Sequence, residues 1–300
     1  MDTPLNDLDP EAFRAWLQSQ QPGAETLAEK RARMDLRGLA TPLPAGCGLA
    51  ELTLGGVGSE RLSPRTARAG RLMLYFHGGG YQLGSPRSIR HFAARLAEAA
   101  GVEAIVPEYR LAPEHPFPAA IEDALAAYRW ALAETSHRRI VLAGDSAGGG
   151  LALGLALAAR DAGLPPPAGI YAISPWTDLA EGGPSYAAKG ESDIFTSVDG
   201  LRAMAAGYVT PDQARDPRAS PLFGDPAGLP PLLIHVGSEE ILLSDSTRLA
   251  ERAALAKVAV RLEVFPDMLH AFPTFHQHLS AARRAIAEAA AWLAERLDGT

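Results

Sequence analysis

The sequence contains almost no cysteine. Cys47 is the only one among 300 residues, so the chain forms no internal disulfide and offers no cysteine-rich zinc site. The acidic stretch at residues 1–11 lacks the apolar segment of a secretory signal. We therefore expect a cytoplasmic protein.

Positive charge and long apolar runs are also scarce. The chain has 28 Lys and Arg against 35 Asp and Glu, a net charge of -7, which argues against binding to nucleic acid or to an anionic membrane surface. The longest apolar run, residues 147–159, is too short to span a bilayer, so we expect no stable membrane insertion. With 47% hydrophobic and 21% charged residues, the composition is that of an ordinary globular protein.

From residue 71 onward, short apolar runs bounded by Gly or Pro alternate with longer helical patterns. This rhythm is typical of βαβ units and predicts an α/β fold with a mostly parallel sheet. The predicted strands are residues 72–76, 103–106, 139–143, 169–174, 232–236 and 259–265. The last of them alternates apolar and charged side chains, which predicts a strand near the sheet edge with one face in water.

Two segments break this rhythm. Residues 1–45 contain helical patterns after Asp9-Pro10-Glu11 and over residues 24–37, which predict a helical N-terminal cap segment. Residues 180–225 contain no convincing strand and are interpreted as a helical cap insertion within a catalytic domain of residues 46–300. A packing appendage without a functional part is the alternative for the N-terminal segment.

The sharpest motif is Gly144-Asp145-Ser146-Ala147-Gly148-Gly149, which follows a predicted strand and opens a predicted helix. A nucleophile at such a tight turn needs small neighbours, and the helix N-terminus presents free amides to a developing oxyanion. A phosphate-binding turn is the alternative, but the run lacks the glycine spacing of such loops. The motif therefore predicts a nucleophilic serine.

A second glycine-rich motif, His77-Gly78-Gly79-Gly80, follows the strand at residues 72–76. Consecutive glycines let the main chain approach a bound ligand with its N–H groups pointing inward, as a second set of oxyanion donors requires. His77 is interpreted as a residue that fixes this loop and not as the catalytic base.

These two motifs, with residues 108–118 between them, look like those of the hormone-sensitive-lipase branch of the α/β-hydrolases, the bacterial family IV esterases. The resemblance covers the chain from about residue 70, while the N-terminal segment resembles the family only in being helical. It implies an α/β-hydrolase fold with about eight mostly parallel strands, flanking helices and a helical cap. It also implies a serine esterase that needs no cofactor and no metal, as a monomer or a homodimer.

The same resemblance directs the search for a base, which follows the serine in this fold. Four histidines come after Ser146 in the chain: His235, His270, His276 and His278. His235 lies within an apolar strand, and the last two lie at the start of the final helix, where exposed histidines are common. His270 follows the last strand in a loop, where the family carries its catalytic histidine, and is the predicted base.

The predicted acid follows the strand at residues 232–236, where Glu239 and Glu240 are adjacent. The family's usual acid is an Asp followed two residues later by Leu, and Glu240 with Leu242 matches that register, whereas Glu239 does not. Glutamate is a departure from the family, but a carboxylate need only accept the histidine N–H. Asp245 is interpreted as a charge at a helix N-terminus.

The resulting hypothesis is that Ser146 attacks an ester carbonyl while His270 takes its proton and Glu240 orients the imidazole. The main-chain N–H groups of Gly78, Gly79 and Ala147 are expected to hold the oxyanion.

The family resemblance implies that the partner of this site is a small-molecule ester with a short acyl chain. Tyr81 is a candidate for the substrate pocket, although packing explains an aromatic there equally well. An amidase, lactonase or acyltransferase with the same triad stays open, and so does a ligand receptor on the same scaffold. A receptor of that kind lacks the catalytic histidine, which is present here as His270.

Overall fold

The computed structural model describes residues 7–20, 23–195 and 197–298. The strands of this part of the chain are β1 (Gly48–Leu54), β2 (Val57–Ser63), β3 (Leu72–Phe76), β4 (Glu103–Pro107), β5 (Ile140–Asp145), β6 (Gly169–Ile173), β7 (Leu232–Gly237) and β8 (Val260–Phe265). Its helices are α1 (Pro10–Ser19), α2 (Leu27–Ala40), α3 (Pro86–Ala100), α4 (Ala119–Glu134), α5 (Ala147–Asp161), α6 (Pro184–Ala188), α7 (Val198–Tyr208), α8 (Leu243–Leu255) and α9 (Ser280–Asp298). None of these helices is both long enough and apolar enough to cross a membrane.

The eight strands form one sheet in the order β1-β2-β4-β3-β5-β6-β7-β8. The six strands β4, β3, β5, β6, β7 and β8 run parallel to one another, whereas β2 pairs antiparallel with both β1 and β4. Parallel neighbours require long crossover connections, which the helices supply. The predicted mostly parallel sheet is confirmed, and the six predicted strands are observed with ends that shift by at most two residues.

Helices cover both faces of the sheet. One apolar layer includes Ile121 of α4, Leu151 of α5 and Leu249 of α8, and the other includes Phe92 of α3 and Leu293 of α9. The central strands β3, β5, β6 and β7 are buried along their whole length, which is why they are nearly continuous apolar runs in the sequence. Strand β8 lies at the edge and is only partly buried, as its alternating pattern predicts.

The hairpin of β1 and β2 is absent from the sequence-based prediction, which assigned no strand before residue 72. Most residues of β1 are exposed, so the strand carries no apolar run that would reveal it. Gly55 and Gly56 form its two-residue turn with φ of 59° and 99°, between the paired residues Leu54 and Val57. A Gly-Gly pair of this kind is a hairpin signal that the sequence contains.

The N-terminal helices are fastened to the loops at the carboxyl ends of the strands. The Arg31 side chain of α2 donates to the carbonyl oxygens of Gln82 (2.7 Å) and Ala112 (2.9 Å) and pairs with Glu114 at 2.7 Å. In α1, the buried Phe13 packs edge-on against Phe275, with ring centroids 5.2 Å apart. These contacts hold the N-terminal segment over the same edge of the sheet to which the glycine-rich loops belong.

Candidate active site

Ser146 lies at the sharp turn between β5 and α5. Its backbone has φ 55° and ψ -123°, a conformation that is costly for a residue with a side chain. The Ser146 N–H donates to the carbonyl of Ile173 (2.8 Å), and the Ser146 carbonyl accepts from the N–H groups of Gly150 (3.1 Å) and Trp176 (3.0 Å). Hydrogen bonds on both sides therefore hold the serine in its strained position.

The glycines around Ser146 are required by close backbone contacts. A Cβ atom on Gly148 would collide with the carbonyl oxygens of Phe76 and His77 at the end of β3. A Cβ atom on Gly144 would collide with the backbone of Gly148. Helix α5 can start this close to β3 only because both positions lack a side chain.

The loop that follows β3 corrects one expectation about the oxyanion donors. The N–H of Gly78 donates to Oδ1 of the buried Asp145 at 3.1 Å, so it is occupied and does not serve as a free donor. Asp145 also accepts from the Tyr75 hydroxyl at 2.8 Å. In the described part of the chain, the N–H groups of Gly79, Gly80 and Ala147 have no hydrogen-bond partner.

His77 supports the glycine loop, which is the run Gly78-Gly79-Gly80 after β3. Its ring stacks on Tyr109, with centroids 4.2 Å apart, and the Tyr109 hydroxyl donates to the His77 carbonyl at 2.7 Å. Burial lowers the pKa of His77 to about 4, so the imidazole is neutral. This geometry agrees with the interpretation of His77 as a loop-fixing residue.

His270 and Glu240 are in direct contact. Nδ1 of His270 lies 2.7 Å from Oε2 of Glu240, which is fully buried. The other carboxylate oxygen, Oε1, accepts from the Gly237 N–H (2.6 Å) and from the Ser174 hydroxyl (2.7 Å). Glu239 points elsewhere and pairs with Lys189 at 2.9 Å, so the structure brings only one of the two adjacent glutamates to His270.

The charge environment of His270 suits a base whose Nε2 atom must be free. Burial lowers the pKa of His270, but the charge and hydrogen bond of Glu240, with the charges of Asp193 and Asp145, outweigh it, and the net shift is upward. Because an ionised carboxylate only accepts, Nδ1 is the protonated nitrogen and Nε2 keeps its lone pair. His270 can therefore accept a proton on the nitrogen that does not face Glu240.

Ser146 and His270 line one cavity of about 510 Å³. The glycine loop forms another part of its lining. The N-terminal helices contribute the apolar side chains of Trp16, Leu17 and Met34, and the segment between β6 and β7 contributes those of Ile194, Phe195, Leu201 and Met204. A cavity of this size fits a small organic ligand.

Known proteins share this fold and this arrangement of elements. A family model described as alpha/beta hydrolase fold matches residues 73–274. The chain belongs to the α/β-hydrolase family. An acetyl-hydrolase of Streptomyces hygroscopicus is 46% identical to this α/β-hydrolase over 243 residues, which are 81% of each protein.

Two solved structures extend the similarity to nearly the whole chain of this α/β-hydrolase. A hormone-sensitive lipase from a metagenome library has a TM-score of 0.94 and 40% identity, covering 97% of this chain and 99% of that chain. A crystal of EstE5 soaked with p-nitrophenyl butyrate has a TM-score of 0.91 and 37% identity, with the same coverage of 97% and 99%. The expected membership of the hormone-sensitive-lipase branch is confirmed.

Tyr81 does not contribute to the cavity of this α/β-hydrolase. Its side chain is fully buried and stacks on the ring of Tyr208, with centroids 3.9 Å apart and planes 6° from parallel. The cavity is lined instead by Gly80 and Met204 on this side. This corrects the substrate-binding candidate, because packing accounts for the Tyr81 ring.

Two further placements differ from the sequence-based interpretation, and one residue, Ser174, is missing from it. Ser174, at the carboxyl end of β6, donates to Glu240 and accepts from the Ala271 N–H at 3.0 Å, so it joins the loops that carry Glu240 and His270. Its position next to the ends of β5 and β7 is the signal that could have identified it. His276 is buried and not exposed. Asp245 is also fully buried in the first turn of α8, where burial raises its pKa to about 8.

One group in the described residues has the composition of a metal site. His235, Glu263 and Glu288 place ligand atoms within 4.8 Å of one another. Arg261 and Arg284 pair with both carboxylates, at 3.1 to 3.9 Å, which already balances their charge. None of these five residues lines the cavity that contains Ser146.

Proposed function

We propose that this α/β-hydrolase hydrolyses carboxylic esters through an acyl-enzyme on Ser146. The observation that carries the proposal is the 2.7 Å contact between His270 and the buried Glu240, in a loop that shares a cavity with the strained Ser146. The three residues follow the chain order of nucleophile, acid and histidine that is typical of the fold. The esterase and acetyl-hydrolase names of its relatives agree with this chemistry.

In the proposed mechanism, Nε2 of His270 takes the proton of the Ser146 hydroxyl as its Oγ attacks the ester carbonyl carbon. The carbonyl oxygen becomes an oxyanion that accepts from the N–H groups of Gly79, Gly80 and Ala147, at the positive end of α5. The protonated imidazole then gives its proton to the departing alcohol as the carbon–oxygen bond breaks. Water, activated by the same imidazole, releases the acid and restores Ser146.

We further propose that the substrates are esters with short acyl chains. The acetyl-hydrolase at 46% identity and the butyrate ester soaked into EstE5 both favour this choice. Residues 1–45 and 180–225 are proposed to form the cap of a catalytic domain of residues 46–300, because both segments supply walls of the cavity. A cap on two sides limits the length of chain that fits beside Ser146.

The alternative functions on this scaffold have less support than ester hydrolysis. Amide, lactone or acyl-transfer chemistry would use the same groups, and no contact in the site favours one of them. A receptor without catalysis is disfavoured because His270 is present and hydrogen-bonded to Glu240. A monomer or homodimer and a cytoplasmic location stay predictions.

The test is the rate of hydrolysis of p-nitrophenyl esters from acetate to long acyl chains. Ser146→Ala and His270→Ala are each expected to reduce kcat by at least about a thousandfold, whereas the exposed His115→Ala serves as a matched control with unchanged rates. Ser146→Ala that keeps most of the activity would overturn the mechanism. A rate maximum at long chains would overturn the proposed substrate class.

A further inference from the structure

The cavity has a different charge from the rest of the protein. The chain carries a net charge of -7, yet the charged side chains that line the cavity are two arginines, Arg33 and Arg37, and a single carboxylate, Asp145. Asp145 already accepts hydrogen bonds from Tyr75 and from the Gly78 N–H. Two of the three Asp, Glu, Lys or Arg side chains on the cavity wall are therefore cationic, although the protein as a whole is acidic.

Only one of the two arginines is neutralised. The Arg33 guanidinium pairs with Glu25, with its Nη2 atom 2.9 Å from Oε2. Arg37, one turn further along α2, makes no hydrogen bond and no ion pair with any residue that the structure describes. Partial desolvation of the guanidinium and the charge of Arg33 lower the pKa of Arg37, which is the effect expected of a cation without a counter-charge.

The position of Arg37 suits a contact with the remote end of a substrate. Arg37 is an exposed residue that also lines the cavity, so it lies where the cavity meets solvent. The neighbouring His278 stacks on Trp16, with ring centroids 4.3 Å apart. Burial, together with the charge of Arg37, lowers the pKa of His278, so this imidazole does not add a second positive charge beside Arg37. The apolar side chains of Trp16 and Leu17 line the same cavity.

We propose that Arg37 binds an anionic group of the substrate, so that this enzyme prefers small esters that carry a carboxylate at the end remote from the scissile bond. The inference rests on the proposed ester hydrolysis at Ser146. A guanidinium binds a carboxylate through two parallel hydrogen bonds, which a neutral substrate cannot replace. A sphere of about 510 Å³ is roughly 10 Å across, a span that a dicarboxylic acid monoester can bridge.

The experiment compares pairs of substrates that differ only in charge. Monoethyl succinate, glutarate and adipate are each measured against the neutral monoamide of the same length, by titration of the released acid at constant pH. Acetyl esters of hydroxy acids, with their amides, place the charge on the alcohol side. For the best acid, kcat/KM is expected to exceed that of its amide by at least about tenfold, and added salt should reduce this ratio.

Variants of α2 separate the role of Arg37 from a general effect of charge. Arg37→Gln should bring the ratio of acid to amide close to one, and Arg37→Lys should keep part of it because it keeps the charge. Lys30→Gln makes the same change of charge on an exposed residue of α2 outside the cavity and should leave the ratio at the wild-type value. A ratio within one sample does not depend on the fraction of folded enzyme.

The outcomes distinguish the two proposals. Hydrolysis of acid and amide at equal rates by the wild type would refute the anion site while ester hydrolysis stands. A wild-type preference for the acid that persists in Arg37→Gln would refute the role of Arg37. If the wild type hydrolyses none of these esters, and not p-nitrophenyl acetate either, the proposed function itself is refuted.

Discussion

Replacing Glu240 by glutamine tests the acid and the base of the proposed triad together. Oε1 of Glu240 accepts from the Gly237 N–H and from the Ser174 hydroxyl, so the oxygen of the glutamine amide must stay on that side. The amide nitrogen then takes the place of Oε2, 2.7 Å from Nδ1 of His270. Since that nitrogen donates, Nδ1 must accept, and the imidazole proton moves to Nε2.

An imidazole protonated at Nε2 cannot take the proton of Ser146. Loss of the correct tautomer in a serine hydrolase triad costs about four orders of magnitude in kcat, and we expect a decrease of roughly 10³- to 10⁴-fold in Glu240→Gln. The pH dependence should shift as well. Burial lowers the pKa of His270, and Glu240 is the main group that raises it. Activity is lost on acidification when the imidazole becomes protonated, so this loss should occur at a lower pH in the variant than in the wild type.

The assay is kcat and kcat/KM for p-nitrophenyl acetate across pH, with Glu239→Gln as the control. Glu239 is the adjacent residue with the same side chain, but it pairs with Lys189 and does not contact His270. Its substitution should change kcat by no more than about twofold, because partly exposed ion pairs contribute little. The proposed triad is refuted if Glu240→Gln keeps a tenth or more of the activity, or if Glu239→Gln loses as much as Glu240→Gln.

Three other substitutions probe the surroundings. Gly148→Ala should lower the free energy of unfolding by about 1–3 kcal/mol and reduce activity, because the new Cβ collides with the carbonyl of Phe76; denaturant titration and the ester assay measure both, and an unchanged enzyme would contradict the close contact. Ser174→Ala should reduce kcat about tenfold with little change in KM, because Glu240 loses a hydrogen bond; a lower Tm with unchanged kcat would indicate a purely structural role. Asp245 has a folded-state pKa of about 8, above its ordinary value of 3.8, so the folded protein holds a proton that the unfolded chain releases, and this stability is lost as pH rises through that range. Asp245→Asn should therefore raise Tm more at pH 8 than at pH 5, and an equal change at both would contradict the assigned shift.

Burial explains which parts of the fold the sequence reveals. Strands β3 and β5 have helices on both faces and are predicted from their apolar runs alone. The largely exposed β1 has no such run, and only its Gly55-Gly56 turn marks the hairpin. A periodicity argument detects strands by what they bury, so an exposed edge hairpin must be identified from its turn.

The candidate site also contains some residues that the sequence predicts and others that it does not. Ser146 and His270 are predictable because they follow strands, and strand ends meet at one edge of a parallel sheet. The N–H groups proposed as oxyanion donors are not, because the direction of each amide depends on φ of 119° at Gly79 and 61° at Gly80. Neither is the unpaired state of Arg37, since it depends on which carboxylate the fold brings to each arginine.

The central claim is that Ser146 is the nucleophile of an acyl-enzyme. The most direct test is to inactivate the enzyme with a fluorophosphonate and to locate the adduct by mass spectrometry of the intact protein and of its peptides. We predict one adduct per chain, on the peptide that contains Ser146, with activity lost in proportion to labelling and no adduct in Ser146→Ala. Inactivation with the label on another residue, or full labelling of Ser146 with undiminished ester hydrolysis, would contradict the account.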